Sequence, residues 1–156
     1  MSRSGYSHGN HDTLLEEQMH QTSIPKIFQQ LLTRPGSATF SVLGADGSIQ
    51  SSLVWPDFDG ELVKVNMVEG APKLTNVRRE GLATLLVFDP SDEDTYISLR
   101  CELANISGDG AIAHLDMLTM RNMNLASWYG DVEPADSPDR DKRVIVHLRP
   151  VRVYHT

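Results

Sequence analysis

Apolar residues recur at three- and four-residue spacing at Leu14, Leu15, Met19, Ile24, Ile27, Phe28, Leu31 and Leu32, the stripe of an amphipathic helix. The stripe is interrupted at Ser23–Pro25, where Ser23 is placed to cap a second helix and Pro25 to sit in its first turn. Arg34-Pro35-Gly36 stops it. From Ser37 the pattern becomes β-like. Ala38–Leu43 and Ile49–Trp55 are two β-rich runs separated by Gly44-Ala45-Asp46-Gly47-Ser48, the signature of a hairpin in which Gly47 takes positive φ. Pro56–Gly60 reads as a turn and Glu61–Val68 as a third strand. Residues Pro72–Arg79 read as a short helix, Ala83–Phe88 as a strongly apolar fourth strand, Asp89–Asp94 as an acidic loop and Tyr96–Ile106 as a fifth strand. Helical spacing returns over Ala111–Trp128, with Ile112, Leu115, Leu118, Met123 and Leu125 available for burial. Gly130–Asp141, with two prolines and five acidic residues, reads as a solvated loop, and Arg143–Val153 as the last strand.

This order predicts an α+β, mainly β fold: six antiparallel strands joined by short turns, closing into a small barrel that leaves few exposed edges. A short helix between the third and fourth strands suits a barrel split on one side. Residues 1–12 are small, polar and rich in histidine and glycine, and read as a flexible tail; residues 13–156 read as one domain. His8 and His11 are the tail's metal-capable residues, and a mobile tail with two histidines reads more simply as a tail.

Composition narrows the class. The chain has 156 residues, 40% of them hydrophobic, and a net charge of −7, which fits a single globular domain with a real core. The acidic balance argues against a general nucleic-acid binder. No apolar run approaches a membrane span, and the N-terminus lacks the apolar region of a secretory signal. One cysteine, Cys101, excludes an internal disulfide and fits a reducing compartment. The expectation is a cytoplasmic protein with a small-molecule partner.

Against this acidic background Gly70–Arg79, GAPKLTNVRR, is a compact basic cluster at a helix start, where free N–H groups and the helix dipole favour an anion. Lys73 is the first candidate for a phosphate contact, because a lysine in the first helical turn opposes the dipole unless an anion lies there. Asn76, Arg78 and Arg79 follow. The two arginines point about 100° apart, so one faces a ligand and the other lies on the surface or at a subunit contact. No residue has the setting of a catalytic acid or nucleophile: His114 and His147 are single histidines on amphipathic elements, and Cys101 reads as a small core residue. That absence fits an enzyme whose cofactor carries the chemistry. Ser41 and Arg100 are candidates to orient a substrate.

Three stretches carry a family resemblance. The hairpin ADGSIQSSLVW (Ala45–Trp55) resembles the DG-(R)-(P)-x-x-S-x-V-W strand pair of the pyridoxamine 5′-phosphate oxidase-like split β-barrel family. GAPKLTNVRRE (Gly70–Glu80) is similar to that family's phosphate-binding segment, G-R-x-K-x-x-N-(L)-R-R-(D). ATLLVFDPSDEDTYISLRCELANIS (Ala83–Ser107) follows its next hairpin, and Trp128-Tyr129-Gly130 and Arg143–Val153 also fit. The likeness spans about four-fifths of the chain and is nearest to the branch that binds the deazaflavin coenzyme F420. It departs at Ala71, where the family usually has a phosphate-holding arginine, and at Ile49, where many members have proline.

The resemblance implies an oxidoreductase that passes a hydride from reduced coenzyme F420, or from FMN, to a small unsaturated or quinone-like molecule. A non-catalytic flavin, deazaflavin or haem binder of the same fold is the alternative. It further implies a homodimer with its cofactor sites between subunits. Gln50, Ser52 and Val54 would share the strand face beside the cofactor ring, with Trp55 on the opposite face, as a core or interface aromatic or as a ligand contact. Asn66, Met67 and Val68 would flank the ring and its side chain, and Lys73, Asn76, Arg78 and Arg79 would hold the phosphate.

Overall fold

The computed structural model describes residues 23–156; the expected tail, His8, His11 and the stripe Leu14, Leu15 and Met19 lie outside the described residues. The first helix among the described residues, α1 (Lys26–Gln29), runs into a 3-10 turn at Gln30–Leu32. Pro25 itself takes the cap position, with no side-chain cap. Phe28, Leu31 and Leu32 are buried, whereas Ile27, counted in the apolar stripe, is 71% exposed.

Seven strands follow: β1 (Ala38–Leu43), β2 (Ile49–Val54), β3 (Pro56–Phe58), β4 (Val63–Val68), β5 (Leu82–Asp89), β6 (Asp92–Ser107) and β7 (Arg143–His155). They form one sheet in the order β2-β1-β5-β6-β7-β4-β3, antiparallel throughout. The seventh strand is β3, where the sequence suggested only a turn; it opens on a proline, which an edge strand tolerates because one side of it needs no N–H donor. The acidic loop is also shorter than expected, since β6 begins at Asp92.

The order of the strands requires the sheet to curl. β2 and β3 lie at opposite edges, yet only Trp55 separates them in sequence. Two Cα steps of about 3.8 Å each keep Val54 within roughly 8 Å of Pro56, so the two edges must meet. No ladder pairs β2 with β3, and this unbonded seam is the split in the barrel.

Inside the curl lies the core. Period-two alternation turns Ala38, Phe40 and Val42 inward from β1, Val63, Val65 and Met67 from β4, and Ile97, Leu99 and Cys101 from β6. Burial pushes the Cys101 thiol up to about 12, so it behaves as a small apolar side chain.

The short helix α2 (Pro72–Glu80) has Pro72 in its first turn, where a missing N–H costs nothing, and lays Leu74 and Val77 on the core. Gly81 ends it at φ 69°, donating its N–H to the Val77 carbonyl at 2.8 Å. A Cβ at this position would meet nothing within 4 Å, so Gly81→Ala is expected to lose about 1 kcal/mol, the cost of left-handed backbone alone, measured by urea denaturation. An unchanged midpoint would contradict this account of the helix end.

The longer helix α3 (Ala111–Met123) buries Leu115, Leu118 and Thr119. It stops short of the expected Trp128 because Asn124 adopts a left-handed conformation, φ 55°. Trp128 instead opens the one-turn α4 (Trp128–Asp131), which buries Tyr129.

Candidate functional site

A cavity of about 280 Å³ lies beside the seam. Val54 and Trp55 reach it from the β2–β3 junction, Asn66 from β4, Lys73 from the first turn of α2, Leu115 and Leu118 from α3, Trp128 from the start of α4 and Arg143 from the start of β7. Ser37 and Leu53 complete its wall. The site therefore draws on most of the chain's length, and β4–β7 pairing, Val68 opposite Arg143, brings its two halves together.

The wall has an aromatic side and a cationic side. Trp55 and Trp128 meet edge to face, ring centroids 5.8 Å apart at 82°. The Arg143 guanidinium lies 5.7 Å from the centroids of both Trp128 and Tyr129, within cation–π range. Its Nε donates to the Tyr129 hydroxyl at 2.9 Å, and Nη1 reaches Asn66 Oδ1 at 3.4 Å.

Asn66 is held from behind. Its Nδ2 donates to the Ala111 carbonyl at 2.8 Å and approaches His114 Nδ1 at 3.2 Å. His114 Nε2 then faces Asp57 Oδ2 at 3.4 Å without hydrogen-bond geometry, and Asp57 Oδ1 accepts from Arg121 at 3.2 Å. Burial pushes the Asp57 carboxyl up, but His114, the Phe58 amide and Arg121 outweigh it and hold the carboxyl below its ordinary value. This polar row supports the cavity wall from outside it.

Lys73 is half-buried and has no hydrogen-bond or ion-pair partner among the described residues. Burial, and then the Arg143 charge, push its ammonium below the usual lysine range. Among the described residues no carboxylate lines the cavity.

Of the residues singled out from the sequence, Val54, Trp55, Asn66 and Lys73 share this wall. Gln50, Ser52 and Val54 do share the inner face of β2, while Ile49, Ser51 and Leu53 point outward. Gln50 is occupied as an acceptor for Asn76 Nδ2 at 2.8 Å, which ties β2 to α2. The Ser52 hydroxyl is buried with no partner among the described residues. Met67 is a core residue, 1% exposed, and Val68 ends β4 half-buried.

Both arginines of the basic cluster are engaged away from the cavity. Arg78 sets its fork on Glu69, at 2.9 and 2.5 Å. Arg79 donates to the Leu43 carbonyl at 2.8 Å and to Glu80 at 3.2 Å. Trp128 and Arg143 were not singled out as site residues. Trp128-Tyr129-Gly130 and the start of β7 carried a family likeness, but nothing local to them marks a cavity wall.

No family model matches the sequence, and no curated protein matches it. Among solved structures the chain is similar to an F420 reductase, at 25% identity over 83% of this chain and 98% of that one, with a TM-score of 0.72. A conserved hypothetical protein from Mycobacterium tuberculosis shares the fold at 19% identity, covering 86% of this chain and 85% of that one, with a TM-score of 0.59. So does a candidate pyridoxamine 5′-phosphate oxidase from Lactobacillus delbrueckii, at 12% identity over 87% of this chain and 97% of that one, TM-score 0.59. These likenesses match the one carried by the sequence motifs: the chain has the split β-barrel fold shared by these pyridoxamine 5′-phosphate oxidase-like structures, and an F420 reductase is among the structures it is similar to.

Proposed function

We propose that the protein is an oxidoreductase that uses reduced coenzyme F420, or FMN, to deliver a hydride to a small unsaturated or quinone-like acceptor. The observation that carries this reading is the cavity itself, which sets Lys73, without a partner among the described residues, and Arg143 beside two indole rings. Such a wall suits a ligand that is flat and aromatic at one end and anionic at the other. The likeness to an F420 reductase supports the cofactor class. When bound, the reduced ring supplies the hydride.

The chain's own contribution is binding and exclusion of water. Lys73 would hold the phosphate, Trp55 and Val54 would pack against the ring, and Asn66 would offer polar contacts to it. The cavity wall holds no carboxylate, imidazole or thiol among the described residues, and the role proposed for them is position and electrostatics. The test is titration of the purified protein with FMN and with coenzyme F420, followed by the visible absorbance of each. Saturable binding of one at micromolar concentration is expected; failure of both to bind refutes the reading.

A second copy of the chain is part of the proposal. At about 280 Å³ the cavity is at the small end of ligand sites, so one chain encloses only part of a tricyclic cofactor. The outer faces of β1, β2 and β5 present Leu43, Ile49, Leu53, Leu82, Leu86 and Phe88 to solvent, with Ile49 73% and Leu53 72% exposed. An apolar face of this extent marks an interaction surface, and Leu53 belongs both to it and to the cavity wall. The protein is expected to sediment as a dimer and the Ile49→Asp/Leu53→Asp double variant as a monomer. A monomeric wild type overturns the assignment.

A further inference from the structure

We infer that Arg143 and the Trp128 indole N–H form the second arm of the anion site, gripping the ligand's tetrahedral anionic group from the β7 side while Lys73 holds it from α2. This inference deepens the cofactor reading, but it stands on three observations of the cavity that do not depend on which cofactor binds.

The first is uncompensated charge. Lys73 and Arg143 line one cavity with no carboxylate beside them among the described residues, and burial, then the Arg143 charge, lower the Lys73 ammonium below the usual lysine range. Two like charges held together in a partly desolvated wall cost free energy that a dianion between them would offset.

The second is an orphan donor. Trp128 Nε1 is buried and has no hydrogen-bond partner among the described residues, although its ring lines the cavity. Buried donors are nearly always satisfied, so this exception leaves a donor that a ligand oxygen can meet.

The third is the way Arg143 is prepared. Tyr129 fixes its Nε and Asn66 approaches Nη1, while the guanidinium carbon lies 5.7 Å from the ring centroids of both Trp128 and Tyr129. Nη2 keeps its donors, with no partner among the described residues. A guanidinium fixed this way loses little side-chain freedom on meeting an oxyanion.

Sulfate is the probe, because it is a tetrahedral dianion whose charge does not change near neutral pH. Both tryptophans of the chain line the cavity, so intrinsic fluorescence at fixed ionic strength reports its binding. Wild type is expected to bind sulfate saturably. Arg143→Gln is expected to bind about tenfold or more weakly, and Arg143→Lys to fall between, because it keeps the charge and loses the fork. Trp128→Phe keeps a ring and loses the N–H; with Trp55 as reporter it is expected to weaken binding roughly three- to tenfold.

Near-UV circular dichroism checks that each variant is folded, and Trp128→Phe carries the test if Arg143→Gln is not. No saturable sulfate binding by wild type, or Arg143→Gln binding within twofold of it, overturns the inference. FMN titration of the same proteins separates the two proposals. Sulfate binding that depends on Arg143, without binding of FMN or coenzyme F420, leaves the anion site standing and the cofactor reading refuted. Cofactor binding unchanged in Arg143→Gln does the reverse.

Discussion

Replacing Phe40 with alanine is expected to lower the stability of the protein by about 3–5 kcal/mol, the range for emptying a large buried aromatic site. Phe40 is fully buried and lies mid-strand on β1, opposite Ser52 of β2 and Leu85 of β5. Its ring therefore packs where the β2 edge joins the rest of the sheet. Relaxation into the void is limited, because β1 is hydrogen-bonded on both sides. For a chain of this size the loss corresponds to a fall in Tm of roughly 6–20 °C. Urea denaturation of Phe40→Ala against wild type measures it, and a loss below about 1 kcal/mol would mean that Phe40 is not a core anchor.

Lys73→Ala is expected to weaken binding of whichever cofactor is bound by about 10–100-fold, the size of one charge-assisted contact to phosphate. Arg78→Ala, only five positions along the same helix, is expected to change it less than twofold. The sequence treats the two as neighbours in one basic cluster, but their surroundings differ. The Lys73 ammonium is half-buried in the cavity wall without a counter-ion among the described residues, whereas Arg78 is exposed and closed onto Glu69. An exposed ion pair of this kind adds little to stability or to a distant ligand. Parallel titrations of both variants decide the matter; equal losses, or none at Lys73, would refute the placement of the phosphate.

The fold was legible because the strands announce themselves. Ala38–Leu43 and Val63–Val68 alternate inward and outward residue by residue, and the turns between strands carry glycine or aspartate. β3 escaped notice because three residues beginning with proline have no periodicity to read; it exists only because β4 offers it an edge. The end of α3 was overestimated because apolar spacing continues past Asn124, while the backbone there turns left-handed.

The candidate site was half legible for a related reason. Lys73, Asn66 and Trp55 lie in or near local motifs that could be matched. Arg143 and Trp128 acquire their meaning from packing alone: an arginine at the head of a strand looks ordinary until β7 is placed against β4. In the same way, Arg78 and Arg79 looked available until Glu69 and the Leu43 carbonyl came within reach.

The position of β7 has a consequence for how the molecule is assembled. β7 stands between β6 and β4, so β4 and β3 join the remainder of the sheet through it alone. It also follows every other strand in the chain. During synthesis the hairpin of β1 and β2 and that of β5 and β6 can form from local contacts, but β3 and β4 have no partner beyond each other until β7 emerges. Closure of the barrel is therefore a late, long-range event that must bring distant segments together. Arg143, the first residue of β7, enters the cavity wall in that same step, so an immature chain with an open barrel carries Lys73 but no complete anion site.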